Sequence, residues 1–344
     1  MRIQSSPTLI GILCGLSANL IWGLAFLIPV LLPDSDSVAL ALGRYVVFGV
    51  LSAGILVARR GSGVYGLGWP VWGTALAFAF AGHLGYYFFL VQGIIHAGAP
   101  ITTAIIATLP VSVALTGNWI RKEVPFSSLL VPLGFIIVGL ILINLMEVDW
   151  TSAMGSRSGW NWVLGIASAL AALFLWTYYA VANAGFLRKH PEIKSSTWST
   201  MMGLCALALS LVALPVAFGA GAVQFGGVHK IFPLVLGALV LGVLVSWVGT
   251  VLWNRASGSV PISIAGQITV VQTIAGLIYV FAWSRRMPPP LEVLGITLLV
   301  SGVLLAIQRT RIVPGTHKQK PTLVDDHDGI DGGDSVHGVI QTKL

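Results

Sequence analysis

Residues 127–146 read SSLLVPLGFIIVGLILINLM, twenty positions without a charge, entered from the loop Lys122-Glu123-Val124-Pro125. Twenty residues of helix are about 30 Å long, the thickness of a bilayer's hydrocarbon core. Barrel strands alternate in polarity over about ten residues, so this run reads as a membrane-spanning helix. Nine similar stretches flank it: 8–32, 38–58, 71–95 and 99–120, then 160–187, 197–218, 231–254, 260–283 and 291–307. The first is too long for a signal-peptide core and no small-residue cleavage site follows it, so it reads as a retained helix. The fold class is an all-α integral membrane protein with ten transmembrane helices.

Composition agrees. Hydrophobic residues make up 56% of the chain and charged ones 9%, where a soluble domain has about a quarter charged. The net charge of +7 invites a nucleic-acid partner, and its distribution excludes one. With the N-terminus in the cytoplasm, fourteen of the 19 Lys and Arg fall on the inner side, and Arg157, Lys230, Arg285 and Arg286 on the outer. That is the positive-inside pattern, and it puts both termini in the cytoplasm of a bacterial inner membrane. Cys14 and Cys205 lie in apolar stretches and offer no metal spacing or disulfide framework. No metal or cofactor is expected.

The chain is written twice. Gly11-Ile12, Ala18 and Trp22 recur 154 residues on as Gly165-Ile166, Ala172 and Trp176, while Gly82 and Gly98 recur 160 residues on as Gly242 and Gly258. The stretch Ala97-Gly98-Ala99-Pro100-Ile101 returns as Ser257-Gly258-Ser259-Val260-Pro261-Ile262. The repeats run over 8–146 and 160–310. Each holds five helices, an odd number, so the second enters the membrane from the opposite side. Inverted repeats of this kind frame the midplane sites of secondary transporters. Two repeats in one chain are compatible with a monomer or a homodimer.

These features, with the Arg early in the second helix, the Gly-x-Pro-type turn into the fourth, Pro110 beyond it and the Lys122-Glu123-Val124-Pro125 loop, give a resemblance to a known family. Over roughly residues 8–310 the chain resembles the EamA branch of the drug/metabolite transporter superfamily. The resemblance implies an export or exchange permease for amino acids or similar small solutes. The second half departs from the pattern: Val271 stands where proline is expected, and Arg285-Arg286-Met287 replaces the acidic loop. The halves are therefore expected to move unequally.

Polar side chains in spanning helices face the bundle interior or a wet cavity. Helical spacing puts His83, Tyr86 and Tyr87 on one face, and Ser246, Thr250 and Asn254 on another beside Trp247 and Trp253. The repeat offset pairs Tyr86 with Ser246 and Tyr87 with Trp247, so both faces are expected on one cavity. Asn19 with Trp22, Trp176 with Tyr179 and Asn183, Thr108 with Ser112, and Gln267 with Gln272 complete the candidate substrate lining. Pro100, Pro110 and Pro261 are hinge candidates, though Pro110 also fits a tolerated kink. Aromatic walls with neutral hydrogen-bonders suit an apolar body carrying a few polar groups.

Arg44 is the one cation inside a span, about 9 Å deep. It fits either a substrate carboxylate or a brace that snorkels or bonds carbonyls. His83 fits either a proton relay or a neutral wall residue. Trp22 and Trp176 line the cavity or pack it. The twelve acids fall in loops, in the tail or at a helix end (Glu292), so no intramembrane carboxylate is available for proton coupling and a facilitator or exchanger is expected. Trp69, Trp72, Trp150, Trp160, Trp162, Trp198 and Trp283 are expected as interfacial anchors. Residues 311–344 are expected to form a disordered cytoplasmic tail; Asp325-Asp326-His327-Asp328 does not match an EF-hand register. No Ser-His-Asp set or His-Glu-x-x-His motif suggests an enzyme, and no ring of charge suggests a channel. A small-molecule carrier in the lipid bilayer is favoured over a receptor, because alternating access uses an inverted repeat and a receptor does not. Phosphorylated substrates would want several interior cations, and drug cations an interior Glu.

Overall fold

Each apolar run folds as helix, the only open-chain structure that satisfies its own backbone in lipid. The computed structural model describes residues 7–33, 35–61, 63–64, 66–147, 159–221, 223, 228–285 and 287–312. Its spans are α1 (Pro7–Leu31), α2 (Ser37–Ala58), α3 (Trp69–Ala97), α4 (Ala99–Ile106 and Leu109–Arg121) and α5 (Phe126–Glu147). Then come α6 (Trp160–Lys189), α7 (Ser195–Gly219), α8 (Val228–Val240, Leu241–Val248 and Gly249–Ser259), α9 (Ile262–Ile268 and Val270–Ser284) and α10 (Pro290–Ile312). No strand occurs among the described residues. The ends of α8 and α10, Ser259 and Ile312, each lie five residues past the expected 254 and 307. Trp150, Arg157, Arg286 and the tail from residue 313 lie outside the described residues.

Local chemistry sets the starts and stops. Asp36 begins α2 by accepting the backbone N–H of Val38 and of Ala39, both at 2.8 Å, as a capping carboxylate does. Lys122 and Arg285 end α4 and α9 in the left-handed region, with φ of 52° and 50°. Both α3 and α8 loosen into a π stretch, Phe80–Leu84 and Leu241–Val248.

Both α4 and α9 break, and in the same way. In α4 the Thr108 amide and hydroxyl both bond the Ile105 carbonyl, at 3.1 and 2.6 Å. In α9 those of Thr269 bond the Gly266 carbonyl, at 3.2 and 2.6 Å. Proline follows the first break and Val271 the second, so the break does not need the proline. Of the hinge candidates, Pro110 occupies the first turn of a new helical segment, where a missing N–H costs nothing, and Pro100 and Pro261 stand at the openings of α4 and α9.

The helix pairings carry the same correspondence. α5 packs on α10, α2 on α7, and α4 on α9; α3 packs on α6 as α1 does on α8, α1 on α9 as α6 does on α4, and α2 on α8 as α7 does on α3. Exchanging each helix with the one five places away returns these pairings; α6 and α7 also pack on α8, with no match of that extent for α1 and α2 on α3. Small residues permit the close approaches, as is usual between membrane helices: a Cβ at Gly139 of α5 would stand 2.8 Å from the Gly295 carbonyl of α10. One end of the bundle gathers the start of α1, the ends of α2, α4, α6 and α8, and the starts of α7 and α9, with Arg59, Arg121, Lys122, Arg188, Lys189, Lys194 and Arg255. It is the basic end.

Candidate functional site

A string of aromatic rings runs through the bundle from Arg44. Its guanidinium carbon lies 5.2 Å from the Tyr45 ring centre, and its Nε donates to Ser246 Oγ of α8 at 2.7 Å. Among the described residues no carboxylate pairs with it. His83 of α3 meets the rings of Tyr45 and Phe48 at 5.7 Å and that of Tyr179 at 6.0 Å. From Tyr179 the string forks. One branch reaches Trp176 at 6.2 Å and then Trp22 and Trp253, three indoles within 5.4–6.3 Å of one another. The other passes Phe78, Trp198 and Phe186 to His190 at the basic end. These separations are those of edge-to-face and offset aromatic pairs.

Two backbone features make room for the string. A Cβ at Gly82 would stand 2.7 Å from the Tyr179 ring, so only glycine lets α3 approach α6 here. In the π stretch of α8 the Gly249 N–H reaches back to the Leu244 carbonyl. That leaves the Val245 carbonyl to accept Trp22 Nε1–H at 2.9 Å. A freed carbonyl of this kind is a common use of π geometry at functional sites.

Toward the basic end lies a neutral polar network. Asn183 Nδ2 donates to Asn254 Oδ1 at 2.8 Å, Trp198 Nε1 donates to Asn183 Oδ1 at 2.7 Å, and Asn254 Nδ2 donates to Ser199 Oγ at 2.9 Å. Trp247 Nε1 reaches Thr200 Oγ1 at 3.4 Å. A crevice of about 330 Å³ at that end has Asn254 in its lining, between Ile10, Leu187, Ile193 and Ser259. Trp198 therefore is not an interfacial anchor. It is fully buried, whereas Trp69, Trp160 and Trp283 are exposed as interfacial residues should be.

Thus Trp22, Arg44, His83, Trp176, Tyr179, Asn183, Ser246 and Trp247 come together, and Tyr86 follows one turn after His83, half-buried. His83 Nε2, Tyr179 OH and Trp253 Nε1 are buried without a hydrogen-bond partner among the described residues, so the string offers hydrogen-bonding atoms that none of those residues uses. Other candidates are placed elsewhere. Thr108 is exposed and bonds its own helix. Ser112 meets Thr177 at 3.0 Å in the α4–α6 seam. Asn19 and Gln267 bond the Gly15 and Ser263 carbonyls of their own helices, Gln272 is half-exposed on α9, and Thr250 is buried. Tyr87 OH reaches the Ser37 carbonyl at 3.1 Å, tying α3 to the start of α2. Sequence reasoning missed Tyr45, Phe48 and Phe78, whose only signal was an aromatic residue within one or two turns of Arg44 and His83.

Comparisons with known proteins agree with this architecture. Residues 9–145 match the model of the EamA-like transporter family. Inner membrane protein YtfF of Escherichia coli K12 is 33% identical over 314 residues, 87% of this chain and 95% of its own length. An uncharacterized transporter of Synechocystis, sll0355, is 30% identical over 162 residues, 42% of this chain and 46% of its own. One crystal structure shares the fold with a TM-score of 0.66 at 18% identity, over 88% of this chain and 98% of that one. With ten apolar spans and a full-length relative at that identity, the chain belongs to the EamA-like transporter family.

Proposed function

We propose that the protein is an alternating-access carrier that exports small amphiphilic carboxylates, amino acids above all, across the inner membrane. The observation that carries this reading is Arg44: a half-buried cation within α2, without a carboxylate partner among the described residues, at the head of a string of aromatic rings. Ser246 takes only its Nε, and the planar guanidinium fork matches a carboxylate. The rings of Tyr45, His83, Tyr179 and the three indoles then accept the apolar body. The recurring breaks, π stretches and pairings support two repeats of opposite orientation, and the positive-inside count supports a cytoplasmic basic end.

The test is uptake of a labelled amino-acid mixture into proteoliposomes, with and without a pH gradient. Saturable uptake without the gradient, competed by particular amino acids, is the expected result; no uptake under either condition would overturn the substrate class. Arg44→Lys should lower uptake of carboxylates at least about tenfold, since lysine lacks the planar fork, and spare amidated analogues. Equal loss of both would make Arg44 a brace.

A further inference from the structure

Glu123 stands in the short turn between α4 and α5, just after the left-handed Lys122. One carboxylate oxygen takes Arg188 Nη1 at the end of α6, and the other accepts the backbone N–H of Ile262 at 2.7 Å. Arg188 Nη2 donates in turn to the Val260 carbonyl. The start of α9 has no capping side chain of its own, because Pro261 fills the cap position, so the first half of the chain supplies the cap. The turn that carries Glu123 is itself held, since Asn118 Oδ1 accepts the Val124 N–H at 3.1 Å. Both charged side chains are largely covered, with 15% of Glu123 and 26% of Arg188 exposed. The crevice at the basic end reaches Leu187 on one side of the end of α6, and this link closes the other side.

The corresponding turn at the opposite end follows Arg285, the left-handed residue that ends α9 as Lys122 ends α4. There the sequence continues Arg286-Met287-Pro288, and no carboxylate takes Glu123's place. We infer that Glu123 is a one-sided latch: it holds the basic end of the carrier shut by tying the first half to α6 and α9, and the turn after Arg285 carries no carboxylate in its place to make the same tie. The resting carrier is therefore closed toward the basic end. This rests on the alternating-access reading given above.

The experiment uses full-length protein in lipid nanodiscs, with Cys14→Ala and Cys205→Ala as background. Spin labels go on Ser127→Cys and Lys194→Cys at the basic end, or on Ser37→Cys and Ser284→Cys at the other, with distances read by double electron–electron resonance. Glu123→Ala, which loses both links, should add a population at the basic end longer by about 5 Å or more, the scale of helix movements in such switches. The opposite end should shorten. Glu123→Gln, which keeps an oxygen for the Ile262 N–H, should show a smaller fraction of the same population. Exchange of charges by Glu123→Arg with Arg188→Glu should return part of the native distance. Lengthening at the basic end with no change opposite would uphold the tie and sink alternating access. No change at the basic end in Glu123→Ala, or broadening at both ends in every variant, would overturn the latch.

Discussion

Asn183 holds partners that would otherwise be stranded. Its amide oxygen takes the Trp198 indole and its amide nitrogen serves Asn254, all in a fully buried setting. Asn183→Leu fills similar space but leaves those groups unpaired, a loss of about 1–3 kcal/mol for a stranded buried group. It should appear as a lower midpoint of thermal unfolding in detergent. Gly82→Ala should cost a similar amount, about 1–3 kcal/mol, for a methyl forced against the Tyr179 ring. His83 has three aromatic neighbours and no carboxylate bonded to it, which fits a wall residue. His83→Gln should leave the pH profile of uptake unchanged, and a flattened profile would assign a relay.

At the scale of the helix, the matched breaks of α4 and α9 place the cause in threonine. Thr108 and Thr269 turn both amide and hydroxyl onto one carbonyl, which draws the last turn tight before the next segment begins. Thr269→Val removes the hydroxyl bond and should destabilise the protein by about 1 kcal/mol. Pro110→Ala should change stability by less than about 1 kcal/mol, through the entropy of the unfolded chain alone. Thermal unfolding of the two variants side by side checks this; a larger loss in Pro110→Ala would put the cause of the break in proline. The sequence reading had Thr108 facing a cavity because a polar group in a span usually does. It could not see that the nearest carbonyl, three residues back, would take the hydroxyl.

For the whole molecule, lipid as solvent made the ten spans legible, because each must be apolar for about twenty residues. The site was legible only where its residues were unusual for a membrane. Arg44 and His83 stood out; Phe48 and Phe78 did not, being indistinguishable from lipid-facing phenylalanines until α2, α3 and α6 are packed. Trp198 failed for a related reason: a tryptophan three residues into a span looks like an anchor, and what buries it is Asn183 on another helix. Orientation can be checked directly. A fluorescent protein fused to the C-terminus should fluoresce, and alkaline phosphatase fused there should be inactive; the reverse would put the basic end outside.

The two breaks, alike in form, differ in whether they can heal. Residue 110 is proline and has no hydrogen to give, so the gap in α4 is permanent. Residue 271 is valine, and its N–H remains available to the carbonyl four residues earlier. The bond that a continuous helix would need at this position is thus open to α9 and closed to α4. Two joints of one shape thus differ by a single hydrogen atom on the backbone.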